Sequence, residues 1–292
     1  MRQYAIIEAP SVLGLWPSGV EGLPDALLDR GLARRLAARR AGQVATLPFV
    51  AARDKATGLL NPTAIQTFSG RLADAVQPVL DQGQFPLVLG GDCSILLGSL
   101  LALRRRGRPG LLFLDGQADF YQPEAEPKGE AASMDLALAT GRGPAVVTDL
   151  EGRRPLVRDD DVFVVGYRDR EDAARHGSQA LPASIAAIEL DELRDVGAAL
   201  AAQRALAHLT RPDGPERFWI HLDVDVLDDA IMPCVDYRMP DGLSWQELTT
   251  VLSTTAAAAQ AAGLEITIFN PKLDRDGTAA QGLVDALVAA LE

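Results

Sequence analysis

Apolar residues follow two spacings that alternate along this chain. Short, nearly unbroken apolar runs fall at 3–9, 43–50, 85–89, 111–114, 161–165, 218–226 and 264–269. Runs of that length, closed by glycine, proline or an acid, read as strands of a parallel sheet buried on both faces. Between them, apolar positions three and four apart predict helices at 24–40, 63–82, 94–106, 134–139, 185–209, 244–262 and 282–291. Pro62 suits the first turn of the second helix, where its missing N–H costs nothing. Strands alternating with helices predict an α/β fold, a doubly wound parallel sheet of seven or eight strands. No repeat, low-complexity tract or linker interrupts the alternation, so residues 1–292 read as one domain.

Two of the runs end in acids. LLFL at 111–114 passes into Asp115, Gly116, Gln117, Ala118 and Asp119, and FWIHLDVDV at 218–226 carries His221, Asp223 and Asp225. Residues two apart on a strand share a face, so these last three are expected to point together. In open α/β sheets the chemistry lies just past the carboxyl ends of the strands. Carboxylates crowded there repel unless a cation or a proton separates them. A lone pair of aspartates is ordinarily a helix cap or a turn. Two strand ends that both close on spaced acids point instead to an oxygen-rich site for Mg²⁺ or Mn²⁺, where shared carboxylates bridge metals about 3.5–4 Å apart.

Composition narrows the partners. With 48% hydrophobic residues, 23% charged ones and a net charge of −12, the chain can fill one large core but lacks the basic stripes that phosphate backbones require. Nucleic acid is excluded as a partner and an anionic membrane is disfavoured. Two cysteines, Cys93 and Cys234, make no disulfide framework, and the first residues lack a basic-then-apolar leader pattern, so a reducing cytoplasm is expected. No apolar run approaches a membrane span.

Five motifs in order resemble the ureohydrolase family, which includes arginase and agmatinase. GGDCS at 90–94 is similar to the family's GGDHS, DGQAD at 115–119 to DAHxD, and HLDVDVLDD at 221–229 to SxDxDxxDP. SGVEGLPDALLDRGL at 18–32 and PDGLSWQEL at 240–248 resemble an early and a late family segment. The resemblance implies a three-layer α/β/α sandwich around a mainly parallel sheet of about eight strands. It implies hydrolysis of a guanidino or related amidine C–N bond by water that a pair of Mn²⁺ ions activates, in a homo-oligomer (trimer or hexamer). Carried over by position, it gives Cys93, Asp115, Gln117, Asp119, Asp223 and Asp225 as metal-ligand candidates, with Asp119 also catalytic.

The same alignment exposes departures. Cys93 and Gln117 stand where the family has ligand histidines. A thiolate is a soft ligand that favours Zn²⁺ over Mn²⁺, although a free cysteine is also a common buried residue. An amide oxygen can ligate a hard cation, or Gln117 can simply hydrogen-bond to Asp119 or the loop. Aligning SMDLALATG at 133–141 with GMPLAxxTG places Ala132 at the loop histidine that shuttles protons, and aligning TIFNP at 267–271 with VEVNP places Ile268 at the glutamate that anchors the guanidinium. Glu130 is a local candidate for the lost acid–base group, His221 for a donor to a metal carboxylate, and Glu171 for contact with the substrate's amino end. Three readings follow: a divergent metal-dependent hydrolase, a binding or regulatory protein that keeps the fold without the chemistry, and a single-metal site of Asp115, Asp119, Asp223 and Cys93 or Asp225. The cofactor reading is accordingly two Mn²⁺ by resemblance, with one ion, another divalent metal or none as the alternatives.

Overall fold

The computed structural model describes residues 2–292 and contains one eight-stranded sheet, every pairing parallel. The strands are β1 (Tyr4–Glu8), β2 (Arg39–Gln43), β3 (Phe85–Leu89), β4 (Pro109–Leu114), β5 (Val162–Val165), β6 (Ala186–Ile188), β7 (Arg217–Asp223) and β8 (Ala261–Thr267), in the order β2-β1-β3-β8-β7-β4-β5-β6. Each central strand divides its side chains between two apolar layers. Leu112 and Leu114 of β4 and Ile220 and Leu222 of β7 pack under helices Leu190–Val196, Ala198–Leu209, Trp245–Ala256 and Thr278–Leu291. Leu111, Phe113 and Trp219 face the opposite layer, built by helices Pro62–Asp81, Leu96–Arg104 and Asp135–Ala139. The three-layer α/β/α sandwich is therefore present, with all eight strands.

The element boundaries differ where sequence pattern is weakest. The helix expected at 24–40 is two short helices, Leu23–Asp29 and Leu32–Arg35, and the strand expected at 43–50 lies earlier, as β2. β2 is an edge strand whose RRAGQ is mostly exposed, so its charged residues imitate the outer face of a helix. Likewise β6, three residues on the other edge, was hidden inside the helical reading of 185–209. The helix expected at 244–262 stops at Ala256, because Ala261 and Ala262 open β8. The terminal helix starts four residues before its expected start at 282. β7 ends at Asp223, and Val224–Val226 is a 3₁₀ turn, not strand.

Candidate metal centre

Three loops at the carboxyl edge of the sheet carry the acids. After β3, Gly90 and Gly91 turn the chain, and Asp92 caps the turn at Cys93–Ile95 by accepting the Ser94 amide at 2.9 Å. A Cβ on Gly91 would lie 1.8 Å from the Ser11 carbonyl oxygen, so only glycine lets the loop after β1 nest here. The turn seats the buried Cys93 thiol, which donates to Asp223 Oδ2 at 2.8 Å. After β4, Asp115 accepts the Gln117 amide at 2.6 Å, and Asp119 takes a left-handed backbone with φ of 43°. After β7, Asp223 accepts the Asp225 amide at 2.8 Å, while Asp225 accepts the Gly116 amide at 3.1 Å. Asp225 thus reaches the centre through the 3₁₀ turn, correcting the expectation of a shared strand face, and still meets the others.

Ligand atoms of Asp115, Asp223 and Asp225 lie within 4.8 Å of one another, as do those of Cys93, His221 and Asp223, and those of Cys93, Asp119 and Asp135. All are buried. Asp115 Oδ2, Asp119 Oδ1 and both oxygens of Asp135 have no hydrogen-bond partner. Among the described residues no lysine or arginine side chain bonds these carboxylates. Arg168 lies beside Asp225; its Nη2 donates to the carbonyl oxygens of Asp225, Leu227 and Met239, and its Nη1 is buried without a hydrogen-bond partner.

Burial, and then the charges of the neighbouring aspartates, push Asp115, Asp119 and Asp223 well above the ordinary carboxylate range. Asp135 rises for the same reasons. Burial raises Asp225 too, against the opposing pull of the Gly116 amide and Arg168. Asp169, whose carboxylate accepts the Ala118 amide at 3.1 Å, is raised by burial to about 6. Desolvation lifts the Cys93 thiol in the same way, and Asp223 adds to it. Buried carboxyl groups crowded in this way favour a positive charge among them.

His221 is not at the strand end but within β7, on the layer face shared with Phe113 of β4 and Glu265 of β8, its direct neighbours in the sheet. Its ring stacks on Phe113 with centroids 4.7 Å apart, Nδ1 meets Glu265 Oε1 at 2.7 Å, and Ser99 donates to the other Glu265 oxygen at 2.5 Å. The far nitrogen, Nε2, stands 3.8 Å from Asp135 Oδ2 without a hydrogen bond.

A cavity of about 20 Å³, enough for one water, lies over the acids, with Cys93, Asp119, Asp223, Tyr237 and Ile268 on its walls. It adjoins a cleft of about 540 Å³ bordered by Gln117, Asp169, Asp172, His176 and Tyr237. The Gln117 side-chain amide belongs to the lining of both spaces and makes no hydrogen bond among the described residues, while its backbone N–H donates to Asp115. Glu130 is buried and does not border the cavity; its carboxylate accepts the Tyr237 hydroxyl at 2.7 Å and the Trp16 amide at 3.2 Å. Glu171 sits on the outer side of the helix Arg170–Arg175, its side chain 93% exposed, and borders neither space. Ala132 is buried and carries no proton-transfer group, and Ile268 holds a left-handed backbone at φ 70°.

Asp135, Glu265 and Tyr237 were not singled out from the sequence. Asp135 is the one acid in the apolar helix DLALA and Glu265 the one acid in the strand AAGLEIT, a pattern that marks an acid but not the cluster it faces. The donor set fits a divalent cation at the aspartates, because partnerless buried carboxylate oxygens converge there. It does not reproduce an imidazole at positions 93 and 117.

A sequence model of the arginase family matches residues 2–291. The arginase of Brevibacillus brevis is 28% identical over 96% of this chain and 94% of its own. The arginase of Bacillus caldovelox is 28% identical over 100% of this chain and 98% of its own, and a solved structure of that arginase superposes with a TM-score of 0.88 at 26% identity, covering 100% and 98% of the two chains.

Proposed function

The chain belongs to the arginase family of hydrolases, and from that premise we propose that it hydrolyses a C–N bond of a small guanidino or related amidine compound in a metal-dependent reaction. The observation that carries this reading is the set of buried, partnerless carboxylate oxygens of Asp115 and Asp119 beside Asp223 and Asp225. Asp115, Asp119, Asp223 and Asp225 would hold divalent metal, with Mn²⁺ the family expectation. When bound, it would supply Lewis acidity and lower the pKa of bound water toward neutrality. Around that centre the chain's own groups have separate tasks. Asp119 lines the cavity, where a carboxylate oxygen not engaged by metal can accept a proton from the attacking water. Tyr237 lines the cavity, and Glu130, which accepts its hydroxyl, is a positioning residue for it. Gln117 offers its amide at the cavity mouth. Glu171 has no direct part in this reading, because its carboxylate faces solvent on the far side of its helix. The wider setting we read as one domain over 1–292 in a homo-oligomer, trimer or hexamer, in the cytoplasm. Two free buried cysteines support that compartment, and among the described residues no helix is long and apolar enough to cross a membrane.

Chelator-stripped protein, reloaded separately with Mn²⁺, Zn²⁺ and Mg²⁺, tests the proposal. Urea or ammonia should be released from a panel of guanidino and amidine compounds with at least one metal, and that metal should raise the melting temperature. No product and no stabilisation with any of the three would reject it.

Ile268 sets the expected substrate preference. An apolar side chain beside the reacting group leaves a guanidinium without a counter-charge, and burying that charge unpaired is costly. The protein should therefore prefer amidine-type substrates of low charge at the reacting end. Ile268→Glu should lower KM for a guanidino substrate about tenfold or more, the scale of a charged hydrogen bond of about 1.5–3 kcal/mol. Steady-state kinetics on matched charged and neutral substrates check this; a KM that does not move would separate Ile268 from the substrate.

A further inference from the structure

The two clusters that share Asp223 differ in chemistry. Asp115, Asp223 and Asp225 offer only oxygen, whereas Cys93, His221 and Asp223 combine a thiol, an imidazole and a carboxylate. From this separation we infer that Cys93, His221 and Asp223 form a soft-donor site that takes Zn²⁺, with Asp135 Oδ2 at its edge 3.8 Å from His221 Nε2, beside an all-carboxylate site for a harder cation. The inference rests on the hydrolase reading only for what the metal does; its ligands can be tested without turnover.

The orientation of His221 is the decisive feature. A ligating histidine almost always gives its second ring nitrogen to a carboxylate, which fixes the ring and leaves the other nitrogen's lone pair for the metal. Glu265 occupies that place at 2.7 Å from Nδ1, and Ser99 fixes Glu265 in turn at 2.5 Å. Nε2 is fully buried, has no hydrogen bond, and looks toward Asp135, whose two oxygens are also buried and partnerless. A histidine–glutamate pair in the apolar middle of a sheet, next to a bare aspartate, costs more than it returns if nothing lies between them. A cation ligated by Nε2 beside Asp135 removes that cost. Thiolate and imidazole together select Zn²⁺ over Mn²⁺ and Mg²⁺, and tetrahedral zinc accepts such mixed sets. Neither lost family histidine position supplies the imidazole here; a neighbouring strand does, from one layer deeper.

The test uses the full chain, stripped by chelator and reloaded with Co²⁺ as a spectroscopic substitute for Zn²⁺. The expected result is an intense thiolate-to-cobalt charge-transfer band that saturates at one metal per chain. The band should vanish in Cys93→Ser and persist in Asp225→Asn. Zn²⁺ affinity should fall about 10–100-fold in Glu265→Gln, the scale for an outer partner of a ligating histidine, and further in His221→Ala. Should Cys93→Ser not fold, the wild-type band and the His221→Ala affinity decide the question. Absence of the band in wild-type protein, or unchanged Zn²⁺ affinity in His221→Ala, overturns the inference. Turnover without the band upholds the hydrolase and removes this site, while the band without turnover on any of the reloaded metals upholds the site and removes the hydrolase.

Discussion

Asp223→Asn is expected to lower metal-dependent kcat/KM more than about 100-fold, beyond the range for residues that only support a metal ligand. Asp223 belongs to two of the three convergent clusters, so its neutralisation weakens both at once. The amide keeps the shape of the side chain, and its oxygen can still accept the Asp225 amide that now sits 2.8 Å away. Loss of activity would therefore reflect lost charge and not a collapsed turn. A second readout separates the two further. In metal-free protein the substitution relieves repulsion among buried carboxylates and should raise the melting temperature, whereas with metal present it should lower it. Activity within a few fold of wild type, or the same sign of thermal shift in both states, would contradict the assignment.

The metal-free protein should lose stability as pH rises. Asp115, Asp119, Asp135 and Asp223 are all raised well above the usual carboxylate range by burial, and Asp169 is raised to about 6. Their unfolded counterparts titrate near the ordinary value of 3.8. A group raised in the folded state contributes stability that is complete below its unfolded pKa and disappears as pH climbs through the folded one. For Asp169 the window runs from about 4 to about 6, and its shift of about two units corresponds to up to about 3 kcal/mol. The four deeper aspartates extend the loss to higher pH. An opposing contribution is in place, since Arg168 lies beside Asp225. Chelated protein should thus melt about 10 °C lower at pH 8 than near pH 5. Saturating divalent metal should abolish that decline, because cations replace the protons that rising pH removes. Calorimetry across this range checks the sign; a flat or rising curve for the chelated protein would show that the acids are compensated within the chain.

The strands that carry the site were the most legible part of the sequence. β3, β4 and β7 are buried on both faces, so each is a plain apolar run, and a run that stops on Asp115 or Asp223 announces both the strand end and the acid placed on it. The edge strands β2 and β6 were not legible, because an edge has no buried second face to impose apolar residues. Among site residues, the four aspartates could be read from spacing and family pattern. Asp135 and Glu265 could not, since a single acid in an apolar element looks the same whether it faces solvent or a cluster. Only the parallel register that aligns Phe113, His221 and Glu265 across three strands shows that the imidazole and the carboxylate meet. Tyr237 lies in an irregular loop, where no periodicity predicts direction.

The strand order has a consequence for how the chain acquires its shape. The first 210 residues contain six of the eight strands, but β7 and β8, which come last, occupy the middle of the sheet between β3 and β4. A nascent chain that has emerged only that far holds two half-sheets with a gap between them, each exposing an unpaired apolar edge. Such distant pairings are slow to form, and the waiting edges invite aggregation. Truncation ahead of Arg217 should yield insoluble fragments and not a smaller folded unit, and refolding should become productive only when the last quarter of the chain is available to zip the halves together.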